Sequence, residues 1–286
     1  AHHGVMDGRG VLAWVGDVFR TLRGEEPVGA YATETDVTVV SHMTDKTRTI
    51  KPDECIAPTG ESVPGEPGSS WRRISIAEPV PKLLGRIGCA LARSAWNYRD
   101  GIVRFLIPVD LRQRRPGLLS TGNLTTTIYV DVTRDSTPDS IVFDIFRQLH
   151  NKNDCMPFAG GWVPLDMIPI SLLGMGYKVL TRLNHARGLY NASALISNMG
   201  RIDTRMFSGA GFIADSVFAI TPNLDKLPMI ITLVECNGRE EIIISIPNDL
   251  GNQDRFERLL VDVGQAVRPA ASPILNHGSE LHHIQD

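Results

Sequence analysis

The chain begins with a clear helical pattern. Apolar residues recur every three or four positions, at Val11, Leu12, Val15, Val18, Phe19 and Leu22. Charged residues take positions on the opposite face, at Asp17, Arg20 and Arg23. This spacing predicts an amphipathic helix. Asp7 suits its N-cap and Gly24 suits the position just beyond its last turn, so we expect the helix to lie between them.

The rest of the chain alternates between helical and strand patterns. Helical periodicity predicts helices over residues 80–96, 137–150 and 170–187, and a last helix around Phe256, Leu259, Leu260 and Val263. Apolar or alternating runs predict strands over residues 102–112, 124–132, 193–197, 215–220, 229–236 and 240–246. Asn237-Gly238 predicts a tight hairpin between the last two strands. Residues 51–70 are dense in Pro, Gly, Ser and Glu, which predicts an exposed loop or interlobe linker. The pattern as a whole predicts an α/β protein.

Size and charge exclude several classes of function. With 286 residues the chain can form one large domain or two lobes, and its formal net charge is only −3. The basic cluster of Arg112, Arg114 and Arg115 is short and lacks interleaved aromatic residues, so we interpret it as a solvated turn and expect no nucleic acid partner. No glycine-rich phosphate loop follows a strand, which argues against nucleotide-binding folds.

The cysteines and the apolar segments indicate the compartment. The four cysteines share no CxxC spacing, so we expect free thiols and a reducing environment. Cys89 and Cys236 fall in apolar segments, which favours core packing over nucleophilic chemistry. No apolar run has the length of a membrane span, and no signal peptide is recognisable. We therefore expect a cytoplasmic location.

The first ten residues, AHHGVMDGRG, carry the candidate chemistry. A histidine placed just before a helix lies near the positive end of the helix dipole, which disfavours its protonated form. A neutral imidazole can accept a proton from a hydroxyl or an amine, so His2 or His3 could act as a general base. Gly8 and Gly10 would let a substrate approach the backbone closely.

Two other interpretations of the histidines remain open at this point. They could be the remnant of a purification tag, although a tag does not explain Asp7-Gly8 and the helix that follows. His2, His3 and Asp7 could also supply three metal ligands, but adjacent histidines usually point in different directions and no further histidine completes a ligand pattern. We therefore expect no metal.

The segment HHGVMDG resembles the HHxxxDG signature of the chloramphenicol acetyltransferase-like superfamily, which includes the condensation domains of nonribosomal peptide synthetases. The segments IPVDLRQRRP, GNLTTTIYVDV and LISNMGRID extend the resemblance over nearly the whole chain. The resemblance implies a two-lobed α/β fold with mixed sheets, like that of CoA-dependent acyltransferases. It implies acyl transfer from a thioester, on CoA or on the phosphopantetheine of a carrier protein, to a hydroxyl or an amine.

The resemblance also assigns roles to individual residues. His3 corresponds to the catalytic base and His2 to its supporting neighbour, followed by Gly8 in the signature. Asp7 corresponds to an aspartate that holds the active-site loop through an arginine, for which Arg112 is the candidate, although Arg9 is nearer in sequence. Asn123 would line the acceptor side of the tunnel, or would simply be a turn residue before a strand. No tightly bound cofactor is implied, because the thioester is a substrate.

The position of the motif departs from the family pattern. In the family the motif lies well inside the first lobe, whereas here it starts at His2. We therefore expect residues 1–75 to be the remainder of an incomplete N-terminal lobe with the interlobe linker, and residues 76–286 to be the C-terminal lobe. The missing N-terminal portion is then itself an expected partner, beside acyl-CoA or an acyl carrier protein and the acceptor. The rival hypothesis is a non-catalytic condensation-like module that binds a carrier or another protein.

Overall fold

The computed structural model describes residues 5–40, 43–49, 51–65, 68–157, 169–221, 224 and 227–268. The helices are α1 (Gly8–Leu22), α2 (Asp36–Val40), α3 (Leu83–Tyr98), α4 (Pro138–His150), α5 (Ile170–Ala186) and α6 (Gln253–Ala266). The strands are β1 (Ser69–Ile76), β2 (Val103–Asp110), β3 (Thr125–Val132), β4 (Ala194–Arg201), β5 (Ile230–Cys236) and β6 (Arg239–Pro247). Short 3₁₀ turns cover Leu111–Arg114, Asn153–Cys155 and Thr204–Phe207.

All six strands form one mixed sheet, in the order β1-β6-β5-β4-β2-β3. The β2–β4 and β4–β5 pairs are parallel, and the other pairs are antiparallel. The predicted α/β class with a mixed sheet is therefore confirmed. Between residues 5 and 65, the described part of the chain contains α1, α2 and no strand longer than an isolated bridge. The division into lobes near residue 75 stays a prediction, and β1 lies in the same sheet as the strands that follow it.

The two faces of the sheet bury different helices. Leu233 belongs to the main core, which α3 and α6 cover with residues such as Leu91 and Phe256. The next residue, Val234, points to the other face, where it joins a smaller cluster with Met199 and Phe207. Leu12, Val15 and Phe19 of α1 pack against that smaller cluster. Part of the apolar stripe predicted for α1 therefore attaches the N-terminal segment to the face opposite the main helix layer, whereas Val18 and Leu22 of the same stripe are exposed.

The cysteines and the ends of α1 agree with the sequence analysis. All four cysteines are free and buried. Helix α1 starts directly after Asp7, and Gly24 follows its last turn with φ +76°, in the left-handed region that glycine tolerates. Within the described part of the chain, no helix is both long enough and apolar enough to cross a bilayer.

Three expectations from the sequence are wrong, wholly or in part. The first concerns residues 51–70: Cys55–Gly60 are buried, whereas most of residues 61–65 and Gly68 are exposed as expected, and the interlobe linker stays a prediction. The backbone of Cys55 exchanges hydrogen bonds with Tyr190, and Ile56 N donates to the carbonyl of Ile102. Ser69 and Ser70 already belong to β1, which the sequence pattern did not reveal because this edge strand is mostly exposed.

The second concerns residues 215–220, which form no strand. This segment is held by side chains: the Asp215 carboxylate pairs with Arg239, and Phe218 lies under the guanidinium of Arg73, 4.4 Å from its ring centroid. The third concerns the basic cluster, in which Arg115 is exposed as expected of a solvated turn, whereas Arg112 and Arg114 are largely buried. Each of its arginines pairs with acidic side chains: Arg112 with Asp7 and Asp110, Arg114 with Asp154, and Arg115 with Glu34.

Candidate functional site

The structure describes the HHxxxDG segment from Val5 onward, so His2 and His3 lie outside the described residues. Their roles stay predictions. Asp7 has extended backbone geometry, with φ −88° and ψ 178°, and is the N-cap of α1. Its Oδ1 accepts a hydrogen bond of 2.7 Å from Gly10 N, which satisfies one of the free amides of the first helical turn.

The other oxygen of Asp7 binds a separate part of the chain. Asp7 Oδ2 accepts hydrogen bonds from Leu124 N at 2.7 Å, from Thr125 Oγ1 at 3.0 Å and from Arg112 Nη1 at 2.9 Å. The Asp7 side chain is only 1% exposed. One buried carboxylate thus joins the start of α1 to the end of β2 and to the start of β3.

Arg112 organises the loop that faces the motif. Its Nε donates to the carbonyl of Ser120 at 2.9 Å, and its Nη2 donates to the carbonyl of Gly122 at 2.6 Å. Nη1 contacts Asp110 at 2.9 Å in addition to Asp7. The rigid fork of donors on a guanidinium suits such a task, because it can hold two carboxylates and two carbonyls at fixed angles.

The electrostatics of Asp7 follow from these contacts. Burial by itself would raise the pKa of the carboxyl group, since burial disfavours the charged form. The hydrogen bonds from Arg112, Gly10 and Leu124, together with the positive charge of Arg112, outweigh burial and hold the pKa of Asp7 below its ordinary value. Asp7 is therefore a charged anchor at neutral pH. Its lone pairs are already engaged by four donors, one of them cationic, which is a poor arrangement for a metal ligand.

Gly10 packs closely against a distant backbone segment, whereas Gly8 faces a side chain. A Cβ atom on Gly10 would lie 2.1 Å from the carbonyl oxygen of Thr121, and one on Gly8 would lie 3.2 Å from Met199 Cε. The expectation that Gly10 makes room for a substrate is therefore wrong, since the Thr121 carbonyl already fills that space. Arg9 is not the partner of Asp7 either: its Nη2 donates to the carbonyl of Met199 in β4 at 2.6 Å.

Asn123 occupies the turn before β3. Its Oδ1 accepts a hydrogen bond from Thr125 N at 3.4 Å, two residues ahead, as in a turn stabilised by an asparagine side chain. This contact fits the turn interpretation, and the tunnel-lining role stays a prediction. Sequence reasoning missed Leu124, Thr125 and Met199 as partners of the motif segment. Two of these contacts use backbone atoms, which leave no signal in residue type.

The comparisons with known proteins concern the fold. No protein-family model matches the chain, and no curated protein sequence matches it. Among solved structures, the chain is similar to a condensation domain that mediates chain release from the enacyloxin polyketide synthase, with 17% identity and a TM-score of 0.54 over 96% of this chain. It is also similar to the first condensation domain of the calcium-dependent antibiotic synthetase, with 14% identity and a TM-score of 0.53 over 95% of this chain.

A third similar structure is the polyketide synthase associated protein 5 from Mycobacterium tuberculosis, with 12% identity and a TM-score of 0.57 over 94% of this chain and 72% of that protein. These likenesses show that the chain has a condensation-domain fold, as the resemblance in the sequence implied. The chain spans 58% of the enacyloxin domain structure and 64% of the antibiotic synthetase structure.

Proposed function

We propose that the chain is the larger part of a condensation-like acyltransferase. It would move an acyl group from a thioester of CoA or of a carrier protein to a hydroxyl or an amine, with His3 as the general base. The observation that carries this proposal is the set of four hydrogen bonds to the buried carboxylate of Asp7. They tie the end of the HHxxxDG motif to the sheet, which is the role that the resemblance assigns to an aspartate and an arginine.

The location of this anchor supports a catalytic use of the segment before it. His3 precedes Asp7 by four residues, so the anchor keeps His3 within about 14 Å of the start of α1. A base must come within hydrogen-bonding distance of the proton that it removes, so a fixed end of the motif would limit the positions that His3 can take. His2, as the supporting neighbour, and Gly8, next to Asp7, would help to shape the same turn.

The proposed reaction needs no covalent enzyme intermediate. His3 accepts the proton of the acceptor hydroxyl or amine as the oxygen or nitrogen forms a bond to the thioester carbonyl carbon. The tetrahedral intermediate then collapses, the carbon–sulfur bond breaks, and the imidazolium returns its proton to the departing thiolate. The products are an ester or an amide and a free thiol. Proton transfer of this kind contributes about 10²–10⁴-fold in rate.

The function is tested by thiol release from acyl thioesters. The whole protein that carries this chain is incubated with acyl-CoA or an acylated carrier protein, with and without candidate alcohols and amines, and the free thiol is followed by a chromogenic reagent. We expect thiol release that depends on an acceptor, and mass spectrometry should find the acyl group on that acceptor. Release at the same rate without any acceptor would contradict acyl transfer.

The non-catalytic module remains the second candidate, because α1 has an exposed apolar stripe. The exposed fractions are 54% for Trp14, 43% for Val18 and 51% for Leu22. Exposed apolar surface of this kind suits contact with more polypeptide. In the binding-module hypothesis this polypeptide is a carrier or another partner protein, whereas in the acyltransferase hypothesis it is the rest of the first lobe. A folded whole protein that binds an acylated carrier protein without any acyl transfer would favour the binding module instead.

A further inference from the structure

A concave site lies on the other side of the sheet from α1. A cavity of about 330 Å³ opens between α3, α4 and the adjoining ends of β4, β5 and β6. Its lining is about half apolar and half polar, and the apolar part includes Leu84, Val142, Ile145 and Phe146. Cavities of this size with apolar walls and a few polar groups are typical of small-molecule sites.

The polar end of this cavity carries two carboxylates. Glu235 and Glu240 are directly opposite each other in the β5–β6 pair, and both line the cavity. Glu235 is paired with Arg201 at 2.7 Å. Glu240 makes no ion pair or side-chain hydrogen bond with any residue in the described part of the chain. Lys82 also lines the cavity, but its ammonium is paired with Asp139.

The charge of Glu240 is therefore uncompensated. Burial, and then the neighbouring Glu235 carboxylate, raise the pKa of Glu240. Both effects mean that the ionised form is held at a cost, which a cation placed beside it would relieve.

We propose that this cavity binds a small primary amine with an apolar body. Its ammonium group would lie against Glu240, and its hydrocarbon part would lie against Val142, Ile145 and Phe146. The apolar walls and the unpaired carboxylate are complementary to the two halves of such a molecule. A neutral molecule of the same shape would leave the charge of Glu240 uncompensated, and a carboxylate would be repelled.

The site is distinct from the HHxxxDG segment but shares a strand with it. Asn198 and Gly200 of β4 line the cavity. The carbonyl of Met199, which lies between them, accepts a hydrogen bond from Arg9, directly after the motif. The inference does not depend on the proposed acyl transfer, because binding alone tests it.

The test is calorimetric titration of the protein with n-hexylamine and, as a matched neutral ligand, with 1-hexanol. We expect saturable binding of hexylamine that is at least about tenfold tighter than that of hexanol, because the ammonium both donates hydrogen bonds to Glu240 and neutralises its charge, whereas a hydroxyl only donates a hydrogen bond. Glu240→Gln should weaken hexylamine binding by about tenfold or more and should change hexanol binding much less. Glu257→Gln is the control, since Glu257 is an exposed residue of α6 that pairs with Arg72.

Three results would overturn the proposal. They are no saturable binding of hexylamine, equal affinity for the amine and the alcohol, or equal affinity of the Glu240→Gln and Glu257→Gln proteins for the amine. If Glu240→Gln does not fold, the comparison of the two ligands on the unaltered protein still decides the matter.

Discussion

Asp7 Oδ2 lies 2.9 Å from Arg112 Nη1, although the two residues are 105 positions apart in the sequence. Their side chains are 1% and 14% exposed, so the pair is largely removed from solvent. It connects the N-terminus of α1 with the 3₁₀ turn that follows β2. The end of the HHxxxDG motif is therefore held by the sheet, and changes to this pair should affect stability as well as any activity of the motif.

Replacing Asp7 tests this connection. The helix cap alone contributes about 0.5–2 kcal/mol, and removing one partner of a buried ion pair costs about 3–5 kcal/mol. Arg112 keeps Asp110 as a second partner, so we expect Asp7→Ala to lower the free energy of unfolding by about 3 kcal/mol, at the low end of that range. Urea denaturation followed by circular dichroism measures the change. A loss below about 0.5 kcal/mol, as for an ordinary surface residue, would contradict the anchoring role.

The same residue predicts a dependence of stability on pH. The pKa of Asp7 is lower in the folded chain than its ordinary value of about 3.9. Its contribution is therefore present in full above that ordinary value and is lost as the pH falls through the lower folded pKa. The difference in unfolding free energy between the unaltered protein and Asp7→Asn should be constant near pH 7 and should shrink below about pH 4. A difference that stays constant down to pH 2.5 would show that the charge of Asp7 has no role.

Two glycines of α1 offer a matched pair of substitutions. A Cβ atom on Gly10 would lie 2.1 Å from the Thr121 carbonyl oxygen, whereas one on Gly16 would lie 3.6 Å from Met206 Cε, an ordinary contact. We expect Gly10→Ala to destabilise the protein by about 1–3 kcal/mol, because the backbone must move. Gly16→Ala should be neutral or should stabilise by up to about 1 kcal/mol, since alanine favours the helix. Melting curves of the two variants give the comparison, and equal melting temperatures would contradict the close approach of α1 to Thr121.

The sequence predicted structure that depends on one segment of the chain, but it did not predict contacts between distant segments. Helix α1, its cap at Asp7 and its end before Gly24 were predictable because the signals lie within one segment. The contact of Arg112 with Asp7 could not be inferred from spacing, and it was a candidate only through the resemblance to a family. The packing of Gly10 against Thr121 was misread, because a backbone contact between distant segments leaves no mark on residue type. The prediction of a strand over residues 215–220 was wrong because the apolar residues of this segment make side-chain contacts, and its backbone forms no ladder of hydrogen bonds with another strand.

The cysteines give a prediction about reactivity. All four are buried, and burial raises the pKa of Cys55 to about 12, with the charge of Arg104 offsetting this only in part. The thiolate is the reactive form, so the folded protein should react slowly with Ellman's reagent. We expect four thiols to react at once in guanidinium chloride and fewer than one within minutes in buffer. Rapid reaction of the folded protein would contradict the burial of these residues.

The general-base assignment is tested most directly by replacing His3. Steady-state thiol release is measured for the whole protein carrying His3→Ala, with His2→Ala and Asp7→Ala as comparisons, and melting curves are recorded for each. We expect His3→Ala to lower kcat/KM by about 10²–10⁴-fold, with a melting temperature within about 2 °C of the unaltered protein. His2→Ala should have an intermediate rate, and Asp7→Ala should lose both rate and stability. Full activity in a correctly folded His3→Ala protein would contradict the account.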